Sequence, residues 1–153
     1  MNTPILIKLR PSPIYAFIQI LLLLMLTLVL LLIAYLYAPP ILYLGLIALT
    51  CALYQYLQIR AIRYEITAET IHVTTGILFK RTDALELYRV KDYIIQQNPT
   101  EQIFRLMHLT LLTRDLSSPA LTFIGIPKSD LPETLRDLVQ QARKNNANIL
   151  ELN

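Results

Sequence analysis

The sequence predicts an α+β membrane protein: an N-terminal two-helix transmembrane hairpin, then a bent antiparallel sheet or small barrel closed by a C-terminal amphipathic helix. Three observations carry this expectation. No Lys, Arg, Asp or Glu occurs between Arg10 and Arg60. Beyond residue 62 apolar residues alternate at a period of two in short runs, as in half-buried strands. From Leu131 they recur instead at i, i+4, i+7, i+8 and i+11, one face of a helix. The expected divisions are an N-terminal segment (1–13), a hairpin (14–59), a folded domain (60–144) and a flexible tail (145–153).

The uncharged stretch decides the class. Hydrophobic residues make up 54% of the chain, with a mean hydropathy of +0.45, and the excess lies in residues 11–59. A soluble helix of that length must turn one face to water and needs charge there. A bilayer core of roughly 30 Å takes about 20 apolar residues per crossing, so the stretch suffices for two. The first span is expected over 14–38, rich in leucine. Pro39-Pro40 then breaks the helix, because proline lacks the N–H and clashes with the preceding turn. The second is expected over 41–59. A cleaved signal peptide fits poorly, since its apolar core is shorter and cleavage after Ala38 would leave Pro39 first.

The flanks set the orientation. Lys8 and Arg10 precede the first span, Arg60 and Arg63 follow the second, and the Pro-Pro turn is uncharged. The positive-inside tendency places both termini and the folded domain in the cytoplasm, with the chain integral to the inner membrane. Tyr15, Tyr54 and Tyr56 fit the inner interface belt, and Tyr35, Tyr37 and Tyr43 the outer one. No ionisable Asp, Glu, His, Lys or Arg lies mid-span, which disfavours a proton or ion pathway. Gln19 and Thr27 are expected to hydrogen-bond between helices. Gly45, Ala48 and Ala52 form a small-residue stripe for close helix approach, to the first span or to a second copy. Cys51 has no disulfide partner and behaves as a small hydrophobe.

The folded domain reads as six or seven strands. Residues 64–67 alternate. Ile71, Val73 and Thr75 share a strand face opposite His72 and Thr74, and Gly76 marks a turn. One or two strands follow within 77–88, and another from Val90 to Gln97. Asn98-Pro99-Thr100 suits the start of a short helix through Leu106, with Thr100 as its cap. Residues 108–113 and 120–126 suit a hairpin joined by 114–119. In the last helix Asp130 and Glu133 have capping-box spacing, and Leu131, Leu135, Leu138, Val139 and Ala142 form the apolar face.

These motifs carry a resemblance. The order is two spans, Arg63-Tyr64-Glu65-Ile66-Thr67, Ile71 to Gly76, Leu87-Tyr88-Arg89-Val90, Arg105-Leu106 before Leu109-Thr110-Leu111, then Ile124-Gly125-Ile126-Pro127 and a helix. It resembles the bacterial pleckstrin-homology-like (PH-like) family, also called membrane-flanked domains, over nearly the whole chain. That family commonly has a proline before the central Arg-[Ile/Val] strand and a glycine after the Arg-Leu pair; here Leu87-Tyr88 and Met107-His108 stand instead. The resemblance implies a PH-like domain over 60–144. It also raises inositol-phosphate binding, which eukaryotic namesakes achieve with bases around their first two strands. Here that turn is Thr67-Ala68-Glu69-Thr70, without a base. Lys80 and Arg81 are the nearest basic pair, read either as headgroup contacts or as solvated strand charges.

Catalytic signatures are missing from the sequence. His72 and His108 show no metal-ligand spacing, and no nucleophile elbow, glycine-rich phosphate loop or paired-carboxylate motif occurs. Of the 14 Lys/Arg, the 12 from Arg60 onward face all 11 Asp/Glu, so no basic face for nucleic acid is present. The expected protein is a non-enzymatic, cofactor-free membrane scaffold or adaptor. Its partners are the lipid bilayer and a protein, with self-association to a homo-oligomer included. The alternative is a lipid-headgroup-responsive sensor or envelope-stress factor. Lys8, Arg10, Arg60 and Arg63 are the expected membrane-face bases.

Overall fold

The computed structural model describes residues 5–36, 39–114 and 120–151. Tyr37, the expected end of the first span at Ala38, and the 115–119 connection lie outside these. Among the described residues, two antiparallel sheets, four α-helices and one 3₁₀ turn make up the fold. The first sheet has the order β1-β2-β3-β4 and the second β5-β6-β7.

The long helices come first. α1 (Pro13–Leu36) and α2 (Ile41–Ala61) pack against each other and are long and apolar enough to cross a membrane. At 1.5 Å per residue they measure about 36 and 32 Å. Proline suits the first turn of α1 because that N–H needs no helical partner. Leu22, Leu28 and Leu44 are among the many apolar side chains exposed on the pair. Most of the residues buried on the pair are small: Ala16, Thr27 and Ala34 on α1, and Gly45 and Ala52 on α2. Gly45 and Ala52 are buried, and a Cβ on Gly45 would stand 2.8 Å from Leu31 Cδ2. Gly45 therefore meets α1 of the same chain, while Ala48 beside it is half-buried. Thr27 does not bridge the helices: its hydroxyl donates to Leu23 O at 2.8 Å in its own helix, as Thr50 does to Leu46 O. Such a bond to the i−4 carbonyl satisfies a hydroxyl without a partner helix.

The N-terminal segment is more than a leader to the first span. Ile5–Leu9 forms β1 and pairs antiparallel with β2 (Arg63–Thr67), Lys8 opposite Glu65 and Leu9 opposite Tyr64. Ile7 and Leu9 pack on the core while Lys8 points outward. The apolar hairpin is thus an insertion between two neighbouring strands of one sheet, and the domain does not begin at residue 60. β3 (Thr70–Thr75) and β4 (Arg81–Glu86) complete this sheet. The 77–88 region supplies one strand, followed by a 3₁₀ turn at Leu87–Arg89 that leads into the second sheet.

β5 (Val90–Gln96), β6 (Leu106–Thr113) and β7 (Ala120–Pro127) form that second sheet. Between β5 and β6 lies α3 (Pro99–Ile103), capped by Asn98 rather than Thr100 and ending short of Leu106. Glu101 explains the earlier start: its carboxylate accepts the Asn98 backbone N–H at 3.0 Å, as an N3 glutamate does for an N-cap. Tyr64, Ile66, Ile71, Leu109, Phe123 and Ile126 are buried where the sheets face each other. α4 (Leu131–Glu151) closes the open end of this core with Leu131, Leu135 and Ala142 buried and Leu138 and Val139 packed beside them. α4 also takes in residues 145–151, expected as a loose tail, because no Gly or Pro follows Pro132 to stop it.

Candidate functional site

Two regions gather the residues of interest: the base of the helical hairpin, and a groove along β5. At the base, the Arg60 guanidinium donates to Pro11 O at 2.9 Å, tying the end of α2 to the start of α1. Ser12 N–H donates to Gly125 O at 2.9 Å, fixing the entry to α1 on β7. Gly125 is required there, since its φ is +55° and a Cβ would overlap the Tyr15 ring. Tyr15 in turn meets His108 edge-on, with ring centroids 5.3 Å apart. His108 Nε2 lies 2.7 Å from Glu101 Oε1, so α3 is fastened to the first turn of α1 through this chain of contacts.

Glu101 is buried beneath His108. Burial raises its pKa, but the Asn98 backbone N–H and then His108 outweigh that and hold the carboxyl below the ordinary glutamate value. Nothing in the sequence joins Glu101 or Tyr15 to His108. The one signal is the Asn98-to-Glu101 capping-box spacing, which says nothing of a histidine seven residues on. His72 lies on the other sheet, where its Nε2 is 3.1 Å from the Thr70 hydroxyl.

The basic residues expected at the membrane face have different roles. Arg60 is half-buried and structural. Lys8 Nζ stands 3.6 Å from Glu65 on the outer face of the first sheet. Arg10 and Arg63 are exposed close to the helix ends. Lys80 is exposed at the β3–β4 turn, and Arg81 Nε donates to Asp83 Oδ1 at 2.9 Å. Arg63 and Lys80 do converge: they line one cleft of about 290 Å³ with Ala61, Glu65, Gly76 and Ile77.

The second region runs along β5, the outer strand of its sheet. Tyr93, Ile94 and Ile95 are exposed on it. A groove of about 580 Å³ lies between β5 and α4, lined by Lys91, Tyr93, Leu109, Leu135, Val139 and Gln140 among others. Leu111 and Pro132 also line it, together with side chains of both charges, Asp92, Arg136 and Arg143. Arg143 Nη2 donates to the Val90 carbonyl and pins α4 at one end of it.

Two antiparallel sheets closed by a C-terminal helix, with a groove between that helix and an open strand edge, define a binding module of the PH-like class. A family model described as bacterial PH domain matches residues 12–143, both long helices included. The chain belongs to the bacterial PH domain family. PH domains are in general non-catalytic binding modules. No curated protein and no solved structure matches the chain.

Proposed function

We propose that this protein is a non-enzymatic scaffold, anchored by α1 and α2 in the cytoplasmic membrane, whose PH-like domain holds an extended protein segment on the cytoplasmic side. One observation carries the reading: β5, the outer strand of its sheet, borders a groove under α4 lined by both apolar and charged side chains. An unpaired strand edge offers a row of backbone donors and acceptors. A peptide added there as a further strand gains main-chain hydrogen bonds from the edge and side-chain pockets from the groove. The segment belongs to another protein or to a second copy. Gly45 already packs on Leu31 of the same chain, which favours β5 over the small-residue stripe as the contact if the segment is a second copy.

A photo-crosslinking side chain at Ile94 of the full chain in native membranes tests this. Protein adducts of discrete mass at Ile94, and none at Glu69 on the far end of the first sheet, are expected. Adduct mass then tells a second copy from another protein. No adduct at Ile94, or equal adducts at both positions, would refute the reading.

The Arg63–Lys80 cleft favours a second reading, a lipid-headgroup-responsive sensor. Each base near an anionic surface contributes about 1 kcal/mol. Glu65 in the same cleft opposes a strongly anionic ligand, so protein binding is the reading preferred.

A further inference from the structure

Among the described residues outside α1 and α2, the most exposed large apolar side chains are Phe79 at 91%, Leu78 at 80% and Ile103 at 76%. They occupy two corners of the domain, one on each sheet. Leu78 and Phe79 form the tip of the β3–β4 turn, whose shape is set by Gly76 at φ +94°, where a Cβ would overlap the Phe79 carbonyl. Ile103 ends α3, followed by half-exposed Phe104.

Strand register places both corners beside the base of the helical hairpin. Thr74 pairs with Arg63, two residues beyond the end of α2, and Thr75 pairs with Arg81. The turn between Thr75 and Arg81 therefore projects at the α2 end of the first sheet. Ile77 and Lys80 share a cleft with Ala61 of α2 itself. On the other side, α3 is fastened to the first turn of α1 through Glu101, His108 and Tyr15. Each apolar pair is followed by base: Lys80 and Arg81 after Phe79, and Arg105 after Phe104. Lys128 N–H donates to Arg105 O at 2.8 Å and brings a further base to that corner.

Apolar side chains beside bases, at the level where two apolar helices leave the domain, match the chemistry of a bilayer interface. There, apolar groups sink about 5–10 Å into the boundary while Lys and Arg stay with the phosphates. We propose that Leu78-Phe79 and Ile103-Phe104 are two prongs that enter the same bilayer on opposite sides of the hairpin base. Together they fix the tilt of the domain and hence the direction in which the β5 groove faces. The inference rests on the reading that α1 and α2 cross that bilayer.

The chain has no tryptophan, so single substitutions report depth without background. Phe79→Trp, Ile103→Trp, Ala68→Trp (far turn of the first sheet) and Leu22→Trp (exposed, mid-α1) would each be placed in the full chain. Each is reconstituted in phosphatidylcholine–phosphatidylglycerol vesicles with or without brominated acyl chains. Bromine should quench the indole fluorescence of the Leu22→Trp, Phe79→Trp and Ile103→Trp variants at least twofold and leave that of Ala68→Trp unchanged. Quenching in the Leu22 variant with none in the Phe79 or the Ile103 variant overturns the two-prong seating while leaving the membrane hairpin intact. Quenching in the Ala68 variant equal to that in the Phe79 variant overturns it as well. No quenching in the Leu22 variant overturns the membrane reading and this inference with it.

Discussion

The Tyr64 hydroxyl on β2 accepts the backbone N–H of Ile124 on β7 at 3.1 Å, a bond between residues sixty positions apart that joins the two sheets. The same hydroxyl donates to Thr122 O at 3.3 Å, and the ring packs on Phe123 at 4.7 Å. Tyr64→Phe keeps the ring and leaves the part-buried N–H of Ile124 without this acceptor. A loss of about 1–3 kcal/mol is expected in denaturant unfolding of the detergent-solubilised chain. A loss below about 0.5 kcal/mol would show that the hydroxyl does not join the sheets. Burial, more than the opposing Ile124 bond, pushes the phenol up to about 12. The folded state thus keeps a proton that the unfolded chain releases from about pH 10. The wild-type advantage over Tyr64→Phe is full below about pH 10 and shrinks as the pH rises toward about 12.

Glu101 titrates with the opposite sign. Its lowered pKa means that the ionised form stabilises the fold, fully above its ordinary value of 4.5. The contribution is lost as the pH falls through the folded-state value. Glu101→Gln should be less stable than wild type at about pH 7, since hydrogen bonds to a charged group are worth about 1.5–3 kcal/mol each. The gap between the two should close on acidification below pH 4.5. A gap that is constant from about pH 7 down to about pH 3 would remove the carboxylate from the account.

Leu135 is buried under α4, whereas its neighbour Arg136 is exposed beside the groove. Leu135→Ala should cost about 2–5 kcal/mol. Arg136→Ala should stay within about 0.5 kcal/mol. Chemical denaturation of both variants checks the phase of the helix, and equal costs would contradict it.

Gly45→Leu forces a side chain into the space held by Leu31. Overpacking of this kind costs about 1–3 kcal/mol. The variant should melt earlier in mild detergent with the particle mass unchanged. A change in mass would reassign the stripe to a contact between chains.

With Cys51 replaced by Ser, a cysteine placed at Asn146 on α4 reports the side of the membrane. In intact cells an impermeant maleimide should leave it unmodified and should label it after lysis. Labelling in intact cells would invert the topology.

The strong signals in the sequence correspond to elements of the fold. The uncharged stretch holds the two long apolar helices, and the Leu131-to-Ala142 spacing gives both the last helix and its buried face. The role of β1 was not legible, because five alternating residues make a weak signal and their partner Tyr64 lies beyond the whole hairpin. Distance in sequence also hid the Tyr15–His108–Glu101 contacts, which join three separate elements. Lys8 illustrates a different limit. Its charge reads equally well as a headgroup contact or as the cross-strand neighbour of Glu65, and only register tells them apart. Thr27 and the i−4 carbonyl show how a hydroxyl can be satisfied without the helix partner that its position suggested.

Because the apolar hairpin interrupts a pair of adjacent strands, synthesis order acquires a meaning. β1 leaves the ribosome before either long helix, and β2 leaves after both. With the hairpin in a bilayer, the two strands can zip together only if both ends of the insertion emerge on the same side. A chain threaded with its ends on opposite sides keeps Ile7 and Leu9 uncovered and leaves the outer edge of β2 bare. Closure of the first sheet thus depends on both ends of the hairpin lying on one side.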